Sequence, residues 1–165
     1  MTRAGYFTVL AILSLTSILR ADERDRESLR DLQDVRVAVE DLSLATPVKG
    51  FSADELRKAV EGKLEQAGIA VANQGEFPVG DPYLRVRITT TKKAGGLTAY
   101  DVQVDFVQLV FLRRNPSVTF NRAQTWKAVN HLGIVPAAQL AEQMRRELSD
   151  QVDQFIAAYK AVNPK

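Results

Sequence analysis

The side chains that could do chemistry in this chain are few, because it has one histidine and no cysteine. A serine-based triad would need His131 beside a serine and an acid. The sequence contains no Gly-x-Ser-x-Gly turn and no phosphate-binding glycine loop. We interpret His131, which follows a strand around Trp126, as a structural histidine. A hydrolase or small-ligand enzyme stays open as a hypothesis without a motif behind it.

A metal site would have to be built almost entirely from carboxylates. Asp101 and Asp105 lie on the same face of a predicted strand. With a rise of about 3.3 Å per residue they stand roughly 13 Å apart, so one ion cannot join them. We expect them to form cross-strand charge pairs with Arg85 and Arg87 instead. The sequence predicts no metal ligands and no cofactor.

General acid–base chemistry would need two carboxylates that converge in a pocket. Glu76 and Asp81 are the pair to consider, since both belong to the long segment 73–82. That segment contains two glycines and two prolines, which favours an ordinary connector. No catalytic residue is therefore predicted, and a non-enzymatic protein is preferred.

The first 21 residues have the layout of an export signal. Arg3 precedes an uncharged run from Tyr6 to Leu19, and Ala21 stands where cleavage would occur. Fourteen residues at about 1.5 Å each make roughly 21 Å of helix, less than the roughly 30 Å hydrocarbon core. We predict cleavage and release into the periplasm or the medium. An uncleaved signal anchor, which would be the only link to the membrane, stays open.

Charge is distributed unevenly along the rest of the chain. Arg3 and Arg20 would leave with the signal, which makes the remaining basic residues equal in number to the 20 acidic ones. A nucleic-acid partner is therefore not predicted. Residues 22–81 hold 8 basic and 14 acidic side chains, whereas residues 82–127 hold 8 basic and 2 acidic ones. The middle of the domain is basic, which would favour an anionic partner.

The order of elements follows from hydrophobic periodicity and capping signals. A polar arm, residues 22–33, precedes a strand with alternating valines from Asp34. Ser52 and Glu55 form a capping-box pattern that begins a helix, which ends at Gly68. A short strand over 69–72, a hairpin of strands around 84–89 and 100–112, and a last strand over 124–132 follow. After Phe106, where alternation fails, either a bulge or a strand end covered on both sides is predicted, and the bulge is preferred.

A long amphipathic helix closes the chain, with apolar residues every three or four positions from Leu140 to Val162. The predicted fold is α+β: a two-layer sandwich, with a mixed sheet of about five strands, two helices on one face, and the order β-α-β-β-β-β-α. Residues 34–165 form a single domain in this prediction. The first two strands flank a helix and are expected to run parallel.

The tail from Val152 to Pro164 carries a resemblance. With its pattern VDxFIxxYxxVNP and the Trp-containing strand, the chain resembles a group of small exported bacterial proteins of unknown function. The element order is also similar, more distantly, to the amino-terminal domain of the Tol translocation protein B. These likenesses imply a fold and an envelope setting, and they specify no chemistry.

Two surfaces are candidates for binding. The first is a basic strand surface, and its residues are Arg85, Arg87, Arg113, Arg114, Arg122 and Lys127. The second is an apolar surface, made of Tyr100, Phe111 and Trp126, and Val107, Leu109 and Phe120 belong to the same group of apolar strand residues. Pairing of the charges with the acidic first half, and use of the aromatic residues as ordinary core, remain alternatives.

The preferred hypothesis is an exported envelope domain that binds an envelope protein, an anionic lipid or a glycan through a sheet face or an edge strand. A structural or homo-oligomerising protein is the second hypothesis, because the strands carry more apolar residues than one covered face requires. The sequence leaves the oligomeric state open.

Overall fold

The computed structural model describes residues 25–45, 47–72, 81–129 and 132–164. The predicted export signal lies outside these residues. The elements in chain order are β1 (Arg36–Ser43), α1 (Ala53–Gln66), β2 (Tyr83–Lys92), β3 (Leu97–Leu112), β4 (Asn115–Lys127), β5 (Gly133–Pro136) and α2 (Leu140–Val162). One-turn 3₁₀ helices precede β3 and α2 at Ala94–Gly96 and Ala137–Gln139.

Helix α1 begins where its capping signal predicts. The Ser52 hydroxyl accepts a hydrogen bond from the Glu55 N–H at 3.2 Å, and the Glu55 carboxylate accepts one from the Ser52 N–H at 3.1 Å. Two backbone donors of the first turn are thereby satisfied. Gly68, with φ of 77°, follows the last turn in the left-handed conformation that favours glycine. The helix buries Leu56, Val60 and Leu64 against the sheet.

The sheet is mixed and carries both helices on one face, as predicted. Its order is β1-β2-β3-β4, with β1 parallel to β2 and the β2–β3 and β3–β4 pairs antiparallel. The short strand predicted over 69–72 is reduced to one parallel bridge between Val35 and Val71. The bridge lies directly before β1, where the Val35 N–H donates to the Ala70 carbonyl at 2.9 Å and the Val35 carbonyl accepts from the Ala72 N–H at 3.2 Å.

The return strand β4 differs from its prediction in length. It begins at Asn115, directly after a two-residue turn, and ends at Lys127, whereas 124–132 was expected. Its first half was not predicted because its side chains are exposed and only Val118 and Phe120 alternate with polar residues, which is too short a pattern to predict a strand. The predicted bulge is confirmed: Phe106 lies opposite Trp126 and Val107 opposite Gln124, which leaves Thr125 as the extra residue.

An aromatic cluster lies between β3, β4 and α2. The Phe155 ring stacks on Phe106 at 5.8 Å between centroids and meets Trp126 edge-on at 5.3 Å. Leu29 of the polar arm is completely buried in the same core. The arm is held there by Asn163, whose side-chain amide donates to the Leu29 carbonyl at 2.8 Å. Residues 25–33 therefore pack as part of the domain.

Strand β3 is the longest strand and has two partners on one of its edges. Strand β4 pairs with its second half, from Asp105, and β5 pairs with its beginning, from Leu97 to Tyr100. The backbone between these two pairings would lack strand partners on that edge. Gln151 of α2 completes it, because its amide accepts from the Val104 N–H at 2.8 Å and donates to the Val102 carbonyl at 2.7 Å. Gln151 is itself completely buried.

Candidate functional site: the outer sheet face and the distal hairpin

The sheet face that points away from the helices carries a buried ion-pair network. Asp105 lies opposite Arg85 in the β2–β3 register and is only 2% exposed. Arg85 binds it with two hydrogen bonds, Nε to Oδ1 at 2.8 Å and Nη2 to Oδ2 at 3.1 Å. Arg87 Nη2 adds a third at 3.0 Å. One carboxylate therefore balances half of the charge of two guanidinium groups, and Glu40 Oε2 lies 4.0 Å from Arg85 Nη1 as a second counter-charge.

A second part of the network crosses the whole sheet. Arg122 of β4 forms an ion pair with Glu40 of β1, and its Nε donates to the Tyr83 hydroxyl at 3.1 Å. The Tyr83 hydroxyl in turn donates to Glu40 at 3.2 Å. Strands β1 and β4 are separated by two strands, so the long side chains of Arg122 and Glu40 reach toward each other over β2 and β3. Contacts with Arg122 and Glu40 cover the Tyr83 side chain, which is buried on a face without a helix.

Half of the predicted basic surface is therefore engaged in internal pairs. Arg85, Arg87 and Arg122 bind Asp105 and Glu40 rather than facing solvent freely. This is the alternative in which the basic strands pair with acidic residues. The structure does not bring these three arginines together with Arg113 and Arg114, which are exposed at the β3–β4 turn. Lys127 is exposed at the end of β4, opposite Asp105 in register.

The environment of Tyr83 predicts an alkaline titration. Burial and the neighbouring Glu40 carboxylate raise the pKa of Tyr83 above its ordinary value, and together they outweigh the opposing effect of Arg122. Because the folded-state pKa exceeds the unfolded one, the protonated phenol contributes stability that is complete below about pH 10. That contribution is lost as the pH rises through the folded-state pKa.

This prediction is checked by following phenolate absorbance against pH for the wild type and Tyr83→Phe, with circular dichroism confirming the fold at each pH. We expect the variant to lack a late-titrating phenol. Burial also raises the pKa of Tyr100, so Tyr100→Phe serves as the matched second titration. Disappearance of an early-titrating phenol in Tyr83→Phe would contradict the expectation.

The second notable feature is the far end of the β3–β4 pair, which we call the distal hairpin (residues 109–122). All eight residues from Asn115 to Arg122 are exposed. Successive side chains of a strand point to opposite faces. Exposure of eight in a row therefore means that neither face of this strand segment is covered by the domain.

Three large apolar side chains of the distal hairpin face solvent. Phe111 is 62% exposed, Phe120 is 52% exposed and Val118 is 39% exposed. Phe111 lies opposite Thr119 in the register, while Phe120 lies opposite Val110. Since residues 119 and 120 point in opposite directions, the two phenylalanines lie on opposite faces of the hairpin.

The charged residues of the distal hairpin are all basic. Arg113 and Arg114 form the turn and are exposed, and Arg122 lies at the other end of the segment. The sequence has no acidic residue between Asp105 and Glu142. The turn arginines therefore have no acidic neighbour along the chain. The arginines of the outer sheet face, in contrast, are paired with Asp105 and Glu40.

The predicted apolar surface is only partly an exposed one. Tyr100 and Trp126 lie in the core, at 8% and 4% exposure, because their β-strand positions point toward α2. Phe111 alone of the three is exposed. Phe120, which the sequence also indicated, is exposed as well, whereas Val118 was not assigned to a site, although its spacing of two residues from Phe120 was the available signal.

The structure gives little information about the residues considered for catalysis. His131 and Glu76 lie outside the described residues, and Asp81 lies 3.7 Å from Arg36. In the described ranges no three histidine or carboxylate side chains are placed to hold a metal ion. Among those same residues, no helix is long and apolar enough to cross a membrane.

Fold and site together define a two-layer α+β domain with an exposed, basic and aromatic hairpin. No family model and no curated protein matches this chain. A similar solved structure is a minor lipoprotein from Acinetobacter baumannii, with a TM-score of 0.35 and 16% identity over 79% of this chain and 95% of that one. At that TM-score the likeness carries no argument about function.

Proposed function

We propose that this protein is a non-enzymatic, exported envelope domain that binds its partner through the distal hairpin. The exposure of this hairpin on both faces, with two phenylalanines uncovered, is the observation that carries the proposal. Burying a phenylalanine side chain contributes roughly 1.5–3 kcal/mol relative to leaving it in water. Large apolar side chains left exposed on both faces of one hairpin are a sign of an interaction site.

The other surfaces are less suited to binding. The arginines of the outer sheet face already bind carboxylates of the same domain. An anionic ligand would therefore have to displace Asp105 from Arg85 and Arg87. The groove between α1 and α2 is closed at one side by Lys63, which binds Ser149 and Asp153 at 2.5 and 2.7 Å. The export of the domain is supported by the signal-like first 21 residues.

A homo-oligomer that pairs two distal hairpins side by side is the second candidate, favoured by the free edge of β4. An antiparallel pairing of the exposed segments 115–122 would place Arg113 and Arg114 of one copy close to Arg122 of the other. Like charges in such proximity oppose association. We therefore prefer a different partner, and sedimentation analysis of the purified protein at high concentration distinguishes the two.

The test of the proposed function is co-sedimentation with washed envelope membranes that retain their proteins. A chain beginning at Asp22 is used, because it contains every core residue described above, including Leu29. We expect binding that is lost in the double variant Phe111→Ser/Phe120→Ser. The matched control replaces two exposed apolar residues elsewhere, Val129→Ser/Leu132→Ser. Equal binding of both double variants would refute the proposed site.

A further inference from the structure

The distribution of apolar side chains restricts what can cover the distal hairpin. Phe111 projects from one face, and Phe120 with Val118 projects from the other. A protein that docks on a single face would cover one phenylalanine and leave the other in water. An added partner strand would lie along the edge of β4 and cover neither face. A bilayer surface surrounds an inserted tip on all sides.

The charges of the hairpin select the kind of bilayer. Arg113 and Arg114 lie between Leu112 and Asn115, within three residues of Phe111. Long arginine side chains place their guanidinium groups at some distance from the backbone, so they reach headgroup phosphates beside an inserted aromatic ring. Basic residues near an anionic membrane surface each strengthen attachment, and the segment has no acidic residue to oppose them.

We infer that the distal hairpin is a membrane-docking tip, which inserts Phe111 and Phe120 shallowly into a bilayer surface while Arg113 and Arg114 bind anionic phospholipid headgroups. This inference rests on the proposed function and names its partner.

The experiment uses the chain that begins at Asp22 and protein-free vesicles. One set contains phosphatidylglycerol mixed with phosphatidylcholine, and the other contains phosphatidylcholine alone. We expect co-sedimentation with the anionic vesicles, weakening as salt is added. Arg113→Glu/Arg114→Glu is expected to reduce partitioning at least about 30-fold. The matched control, Lys92→Glu/Lys93→Glu, makes the same charge change at the β2–β3 turn and is expected to have a much smaller effect.

Insertion of the hairpin into the bilayer is measured separately, by tryptophan fluorescence. A Phe111→Trp variant is expected to shift its tryptophan emission to shorter wavelength with anionic vesicles, whereas the buried Trp126 of the wild type is not. An unchanged spectrum in a variant that does bind vesicles would overturn the insertion.

The outcomes separate the two proposals. Binding to envelope membranes without binding to protein-free vesicles would overturn the lipid inference and leave the proposed function standing, with a protein as the partner. Binding to neither would overturn both. Equal binding to neutral and anionic vesicles would overturn the role given to the two arginines.

Discussion

Replacing Asp105 with alanine is expected to lower the free energy of unfolding by about 3–5 kcal/mol, the range found when one partner of a buried ion pair is removed. Asp105 is almost completely buried and accepts three hydrogen bonds from Arg85 and Arg87. Its removal leaves two guanidinium groups on the outer sheet face without their main counter-charge. Urea unfolding followed by circular dichroism measures the loss.

The matched control for this prediction is Asp153→Ala. Asp153 also forms an ion pair, with Lys63 at 2.7 Å, but its side chain is 60% exposed. Solvent-exposed pairs contribute about 0–1 kcal/mol, so this variant is expected to remain close to the wild type. If Asp105→Ala lost no more than Asp153→Ala, the network would not be a stabilising feature of the folded sheet.

The second large effect is expected for Gln151→Leu. Leucine has a similar size but can neither accept from the Val104 N–H nor donate to the Val102 carbonyl. Each buried polar group left without a partner costs about 1–3 kcal/mol. We therefore expect a loss of about 2–5 kcal/mol, measured by urea unfolding, with faster hydrogen exchange at the amide of Val104.

Two variants make this prediction specific. Gln154 is on the same helix and accepts from the Val129 N–H at 2.9 Å at an exposed position, so Gln154→Leu is expected to cost less than 1 kcal/mol. Gln151→Glu keeps the acceptor for the Val104 N–H and loses the donor to Val102. An unchanged stability of Gln151→Leu would mean that water or a backbone shift satisfies the central strand.

Much of the architecture was predictable because it depends on local signals. The capping box at Ser52, the alternating valines of β1 and the period of α2 are each decided within one element. The pairing of Arg85 with Asp105 was predictable as well, since the β2–β3 turn fixes their register.

The features that sequence analysis missed depend on contacts between distant elements. Gln151 occupies a position of α2 that otherwise takes apolar residues, and only the gap between β4 and β5 on the edge of β3 explains it. The contact of Arg122 with Glu40 joins β4 to β1 across two intervening strands, and no local pattern encodes it. In the β4 half of the distal hairpin only Val118 and Phe120 alternate with polar residues, so periodicity was too short there to predict a strand.

The hydrogen bonds between Gln151 of α2 and strand β3 also bear on the order of folding. The β2–β3 pairing joins residues close in sequence, since Lys92 and Thr98 are already partners, and it costs little loop-closure entropy. The Gln151 hydrogen bonds span 47 and 49 residues. Loop-closure entropy therefore favours formation of the β2–β3 hairpin before docking of α2, which adds the Gln151 hydrogen bonds to the remaining edge of β3.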